Sequence, residues 1–199
     1  MRFKSTATLL VSLMAGLITA PVMASAESSP AYFQASNLFM FGSPNVLVPG
    51  AATMTRSQDG ISFSIETSGL IASNAYTIWI AIFNAPENCA GGAGACTPAD
   101  LMTPAAEGSL AFGGGALAGA LGEAGFQGSL REGDPPTGLE VNPAGFGTVN
   151  GIKDSRKAEV HLVIRAHGLI LPGDAVTQLT QFACPGCTNV QAVIFEAVK

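Results

Sequence analysis

The chain has 199 residues, of which 48 % are hydrophobic and 12 % charged, with 24 glycines, 12 prolines, 4 cysteines and a formal net charge of −5. High hydrophobicity with little charge excludes a disordered chain, and the acidic balance excludes the electrostatic footprint of a nucleic-acid binder. The glycines keep no three-residue period, which excludes a collagen-like repeat, and the length suits one domain with a sizeable core.

Residues 1–26 read as a secretory signal peptide. Arg2 and Lys4 form its positive start, Thr6 to Ala20 its mostly apolar centre, and Ala24-Ser25-Ala26 an A-x-A cleavage site. The apolar run is short for a membrane span, and no later stretch approaches ~18 uninterrupted apolar residues, so no span is expected after cleavage. Cleavage removes two basic residues and no acidic one, which makes the remaining chain, residues 27–199, still more acidic. The expected location is the periplasm or the extracellular space.

Strand signals dominate residues 27–199. Ala31 to Met40 fits a short helix or a first strand, and Asn45 to Arg56 is a weak strand candidate. Ile61 to Glu66 alternates apolar and polar residues, as a half-buried strand does. Ala75 to Phe83 (AYTIWIAIF) is a continuous run of aromatic and β-branched residues, the pattern of a central strand covered on both faces. Asn84-Ala85-Pro86-Glu87-Asn88 ends it. Asn84 and Glu87 could line a site at the strand end, or the segment is a turn with Asn caps before Pro86.

The segment from Cys89 to Cys96 encloses only Gly and Ala. Thr97-Pro98-Ala99-Asp100-Leu101 could open one helical turn, with Thr97 as N-cap. Ala105 to Gly128 reads as two short strands, around Gly108–Phe112 and Gly125–Arg131, joined by a glycine-rich turn. There Gly113-Gly114-Gly115 would permit a bulge or a close backbone approach. Its G-x-G spacings, and that of Gly145-Phe146-Gly147, do not sit between a strong strand and a helix, so a dinucleotide site is not supported. Turn signals punctuate the chain at Pro49-Gly50, Asp59-Gly60, Gly133-Asp134-Pro135-Pro136, Asn150-Gly151 and Pro172-Gly173.

Charge gathers late. Lys153, Arg156, Lys157, Arg165 and both histidines, His161 and His167, fall within one strip. Glu159 to His167 alternates, with Val160, Leu162, Ile164 and Ala166 on one face and Glu159, His161, Val163, Arg165 and His167 on the other. The second face reads as solvated, carrying cross-strand ion pairs. It is also where ligand, anion or metal chemistry would sit: Glu159 could orient His161 as a general base, and Arg165 could hold an anion. The two histidines cannot share an ion, because six residues of strand separate them by about 20 Å. Ala175 to Phe182 is a weak strand candidate, and Asn189 to Val198 a final strand.

An even cysteine count in an exported chain suggests disulfides, and the local pairing Cys89–Cys96 with Cys184–Cys187 is expected over crossed pairs. Closing the first loop is worth roughly 2.5 kcal/mol in the chain-entropy model. Cys184-Pro185-Gly186-Cys187 is also a C-x-x-C. A redox role would need a helix N-terminus to lower a thiol pKa, whereas a strand comes next here. A four-cysteine metal site is the remaining arrangement, and export favours disulfides over it.

Two phrases carry a resemblance. One is Asn74-x-Tyr76-Thr77-x-Trp79 running to Phe83-Asn84-x-Pro86-Glu87-x-Cys89. The other is Ala158-Glu159-Val160-His161-Leu162-Val163-Ile164-Arg165-x-His167-Gly168, with Gln178-Leu179-Thr180 and the late cysteines after it. Together they resemble an uncharacterised group of exported bacterial proteins over about residues 60–195, which implies no activity. More distantly, Ile61–Leu70 and the histidine strand are similar to the CHRD domain, an immunoglobulin-like module with a His-x-His pair. Here Glu159-Val160-His161 has glutamate at the first of those positions, and the metal or matrix role of that family is not carried over.

The reading is therefore an all-β, antiparallel β-sandwich, immunoglobulin-like or related, with little helix. Its expected function is a non-enzymatic binding or structural module, and the alternative is a metal- or anion-dependent enzyme centred on His161. No catalytic residue, cofactor, resident metal or partner is assigned.

Overall fold

The computed structural model describes residues 30–134 and 151–198. The signal-peptide segment, Pro135-Pro136, Gly145-Phe146-Gly147 and Asn150 lie outside them. The strands are β1 Tyr32–Ser36, β2 Phe39–Met40, β3 Ser43–Leu47, β4 Gly50–Ser57, β5 Gly60–Thr67, β6 Asn74–Phe83, β7 Gly108–Leu117, β8 Ala124–Arg131, β9 Glu159–Leu169 and β10 Thr188–Phe195. They form two antiparallel sheets, β1-β4-β5-β8 and β3-β2-β10-β9-β6-β7. The expected β-sandwich is what forms.

Sequence period explains the layers. In β5, Ile61, Phe63 and Ile65 are buried while Ser62 and Glu66 are exposed, as their alternation dictates. The inward residues of β6 and β9 (Tyr76, Ile78, Ile80 and Ile82; Val160, Leu162 and Ile164) meet Met54, Phe63, Ile65 and Phe126 of the first sheet in the main core. β6 is buried on both faces, as its unbroken apolar run predicts. Its outward residues Trp79, Ala81 and Phe83 join Leu101, Ala106 and Leu110 in a second apolar layer outside the sheet.

Several expectations need correction. Asn45–Arg56 is not one strand: Pro49 has no N–H to continue a ladder, and the chain passes there from the second sheet to the first. Ala31–Met40 resolves as β1 and β2 rather than a helix. Gly113-Gly114-Gly115 lies within β7, not at the turn. Ile78 pairs with Gly114 and Trp79 with Phe112, which leaves Gly113 as the bulge. Ala175–Phe182 forms a helical turn, Ala175–Gln178, and then a loop. It cannot pair with the strands before and after it, because β9 is flanked by β10 and β6, and β10 by β9 and β2. β10 stops at Phe195, short of Val198, whose N–H instead reaches Arg156 O at 2.7 Å.

Arg56 ties the sheets together. It stands in β4 in register with the buried Ala52 and Met54, and it is itself 0 % exposed. Its guanidinium donates to the carbonyls of Ser155, Ala158 (2.8 Å), Phe195 (3.0 Å) and Glu196 (3.1 Å) and to Gln34 Oε1. Burial pulls its pKa down to about 10, so it remains charged at neutral pH, solvated by peptide dipoles instead of a carboxylate. Arg56→Met should destabilise the fold by at least about 3 kcal/mol, because several buried carbonyls lose their donor at once. Urea denaturation of the two proteins measures the difference.

Candidate functional site

The face of β9 that carries Glu159, His161, Val163, Arg165 and His167 is not solvated. Glu159 is fully buried, and His161 and His167 are 7 % and 8 % exposed. Two connections cover it. The chain between β6 and β7 folds back over the sheet from one end, and the chain between β9 and β10 does so from the other. Each is closed by a disulfide, Cys89–Cys96 in the first and Cys184–Cys187 in the second, as the local pairing predicts.

The first loop docks on Glu159. Its carboxylate accepts the N–H of Gly94 (2.6 Å) and of Cys96 (3.1 Å), and pairs with His161 Nε2 at 2.7 Å. Burial alone would raise this carboxyl. Hydrogen bonds from His161, Gly94 and Cys96 outweigh burial and hold it below its ordinary value. The expected Glu159–His161 pairing is thus present, and its setting is a dry interface. Beside it, Asp100 accepts the N–H of Ala90 (2.8 Å), and both the N–H and the hydroxyl of Thr97 (2.7 and 2.8 Å). The Ala90 amide, with Thr97 and His161, keeps the Asp100 carboxyl low against its burial. Thr97 starts the short helical stretch Pro98–Met102 as its sequence predicts, with Asp100 rather than the threonine accepting the bonds.

Arg165 holds the second loop. Its Nε donates to Phe182 O (2.7 Å), Nη1 to Asn189 Oδ1 (2.8 Å) and Nη2 to Cys187 O (3.2 Å), while the guanidinium lies 4.6 Å over the Phe182 ring. These contacts make it a clamp between β9 and the second loop. At the end of the strip, His167 Nε2 lies 2.8 Å from Thr77 Oγ1, and its Nδ1 lies 3.1 Å from Cys187 Sγ and 3.5 Å from Cys184 Sγ. Burial and then the charge of Arg165 lower the His167 pKa to about 4, so the ring is neutral at pH 7. The crossed disulfides and the four-cysteine site are corrected by this arrangement, since the two pairs sit at opposite ends of β9.

Asn84 and Glu87 do not join the site. Asn84 donates to Glu107 O (3.2 Å) and Gly151 O (2.9 Å) and accepts Lys153 N–H (2.9 Å), bridging three chain segments. Glu87 is exposed in the short helical turn Pro86–Asn88. Of the basic residues near the strip, Lys153 pairs with Glu107 and Lys157 with Asp154 at the surface, both at 2.9 Å.

Between the two loops lies a cavity of about 340 Å³. Its floor is Trp79, Ala81, Val163 and Ala192, and its walls include Leu101, Phe182 and Phe39. Phe112 and Phe182 meet Trp79 edge-on, with ring centres at 5.5 and 4.9 Å. Among the described residues the polar side chains on the lining are Thr97, His161 and Asn189, and no lysine, arginine, aspartate or glutamate lines it. Sequence reasoning finds His161 and misses the rest. The aromatic signal of β6 is visible in the sequence, but its pattern reads as core.

Comparison with protein-family models, with curated proteins and with solved structures finds no match for the chain.

The sign of the Glu159 effect on stability comes from its lowered carboxyl. Its contribution is complete above the unfolded value of about 4.3 and is lost as pH falls through the lower folded value. Glu159→Gln should therefore cost about 1–3 kcal/mol at pH 7 and flatten the fall in stability below pH ~4.5. Urea denaturation of both proteins between about pH 3 and 7 tests this.

Proposed function

We propose that this chain is an exported binding module that holds a small, uncharged, largely apolar molecule in the cavity over β6, β9 and β10. The cavity carries the reading. It is concave, lined mainly by aromatic and aliphatic side chains, and offers a few convergent polar groups, the combination by which small-molecule sites are recognised. Its volume is near the lower end of the range for such sites, which suits a compact one- or two-ring molecule or a short chain.

The chemistry of the lining selects the ligand class. Among the described residues no lysine or arginine lines the cavity; the carboxylates of Glu159 and Asp100 stand just behind its polar corner, and the Arg165 guanidinium stands behind Asn189 and Phe182. An anionic head group would find no cation on the lining itself, because the donors of Arg165, behind Asn189 and Phe182, are already taken by protein oxygens, and it would enter at a desolvation cost that the apolar walls do not offset. A hydroxyl or amide can bond to His161, Thr97 or Asn189 without that cost. The expected anion chemistry therefore has less support than binding of a neutral molecule. Export is supported by the sequence of residues 1–26 and fits the two disulfides.

The His161–Glu159 pair favours a second reading, in which His161 acts as general base on the bound molecule. That reading requires turnover, whereas the first requires only occupancy.

Titration with 1-naphthol should quench the fluorescence of Trp79, the single tryptophan, and raise the melting temperature in proportion to occupancy. Ala192→Leu, which fills the floor, should weaken binding at least about tenfold, and 1-naphthoate should bind more weakly than 1-naphthol. Binding that is absent, or unchanged by Ala192→Leu, would refute the reading.

A further inference from the structure

The far end of β9 carries a second arrangement that the cavity does not use. Cys184-Pro185-Gly186-Cys187 is a tight turn, with Cys187 N–H donating to Cys184 O at 3.2 Å and Gly186 at φ 80°. Proline at the second position and a glycine of positive φ at the third make a type II turn. The turn itself therefore sets both cysteines on one side of the loop, whether or not their sulfurs are joined. His167 Nδ1 faces both sulfurs, and the three atoms lie within 4.8 Å of one another. Among the described residues this is the group of three metal-ligand side chains that converges in this way.

We propose that reduction of the Cys184–Cys187 disulfide creates a copper(I) site made of the two thiolates and His167 Nδ1. The distances suit it. Ligands ~2.0 Å (nitrogen) and ~2.3 Å (sulfur) from one ion, at tetrahedral to trigonal angles, stand roughly 3.5–3.7 Å apart. The imidazole is already near that separation from both sulfurs, so only the sulfurs must part. The supporting bonds are also in place. Thr77 Oγ1 accepts Trp79 Nε1–H at 2.8 Å and has a second lone pair for His167 Nε2–H, which turns the Nδ1 lone pair toward the sulfurs.

The donor set chooses the ion. Two thiolates and one imidazole are soft, which favours copper(I), and copper(I) is satisfied by three ligands where zinc takes four. Two thiolates with copper(I) leave one negative charge, and the Arg165 guanidinium, bonded to Cys187 O, stands beside it. Access favours this pair over the other. Cys184 and Cys187 are partly exposed around an exposed Pro185-Gly186, whereas Cys89 and Cys96 are buried.

The chemistry balances with a dithiol as reductant. The dithiol gives two electrons and two protons to the Cys184–Cys187 bond and leaves as its own disulfide. Copper(I) then displaces the two thiol protons to solvent, with no change in its oxidation state.

The purified chain would be treated with dithiothreitol without oxygen, exchanged into buffer, assayed for thiols and titrated with copper(I) against bicinchoninate. Two thiols and one retained copper(I) per chain are expected, with none retained by the oxidised protein. Cys184→Ser/Cys187→Ser should abolish retention, and His167→Gln should weaken it at least about tenfold, with near-ultraviolet circular dichroism confirming that each variant is folded. X-ray absorption of the copper-loaded unmodified chain should show sulfur and nitrogen neighbours, a readout that needs no variant. No copper retained by the two-thiol form, retention that survives loss of both cysteines, or a disulfide that opens only when the chain unfolds would each overturn the site.

Discussion

A carboxylate with no access to water has to find all its partners inside the protein, and Glu159 finds one in His161 on its own strand and two on a loop 63 to 65 residues earlier in the chain. Leaving that charge buried without partners would cost far more than the loop gains from its own few apolar contacts. The Gly94 and Cys96 amides therefore have one place to go, and the disulfide between Cys89 and Cys96 keeps them close enough to arrive together. Once they dock, Thr97, Pro98 and Leu101 become a cavity wall and His161 is turned to its rim. That wall of the cavity results from solvating one buried anion with peptide N–H groups and an imidazole.

The same problem is solved twice more with the opposite sign. Arg56 and Arg165 are cations whose donors meet carbonyl and amide oxygens rather than carboxylates. Neutral acceptors do not compensate the charge, but they tie together chain segments that share no ladder. Arg56 links the first sheet to the 155–158 segment and the end of β10, and Arg165 links β9 to the 182–187 loop. In a chain with so few charged residues, those that are buried act as fasteners between segments.

Much of the architecture is legible from period alone. The alternation of β5 and β9 and the continuous run of β6 each predict the right element and the right division into faces. What period cannot tell is which face of β9 is wet. Polar side chains on alternate positions normally mean solvent, and here they meet two loops whose docking depends on three-dimensional closure. Arg56 leaves a visible trace, since it occupies an apolar position in the alternation of β4. The meeting of His167 with Cys184 and Cys187 leaves none. It depends on register, because pairing Thr188 with Ala166 places the preceding cysteine beside His167. Ala175–Phe182 misleads because β-branched composition says nothing about whether a sheet edge is free to receive it.

The glycine bulge in β7 bears on how closely the chain packs against itself. β7 is an edge strand of the larger sheet, and an uncovered edge is a template for pairing with another chain. Gly113 breaks its ladder, and its carbonyl comes so close to Gly128 of β8 that a Cβ at position 128 would stand 3.0 Å from it. The Leu179 carbonyl lies directly against Gly115 on the same strand, leaving no room there for a side chain. The strand thus lies close against both the opposite sheet and the segment at Leu179, at residues too small to hold them off. The most glycine-rich segment, which composition alone would mark as slack, is thus a place of close backbone packing.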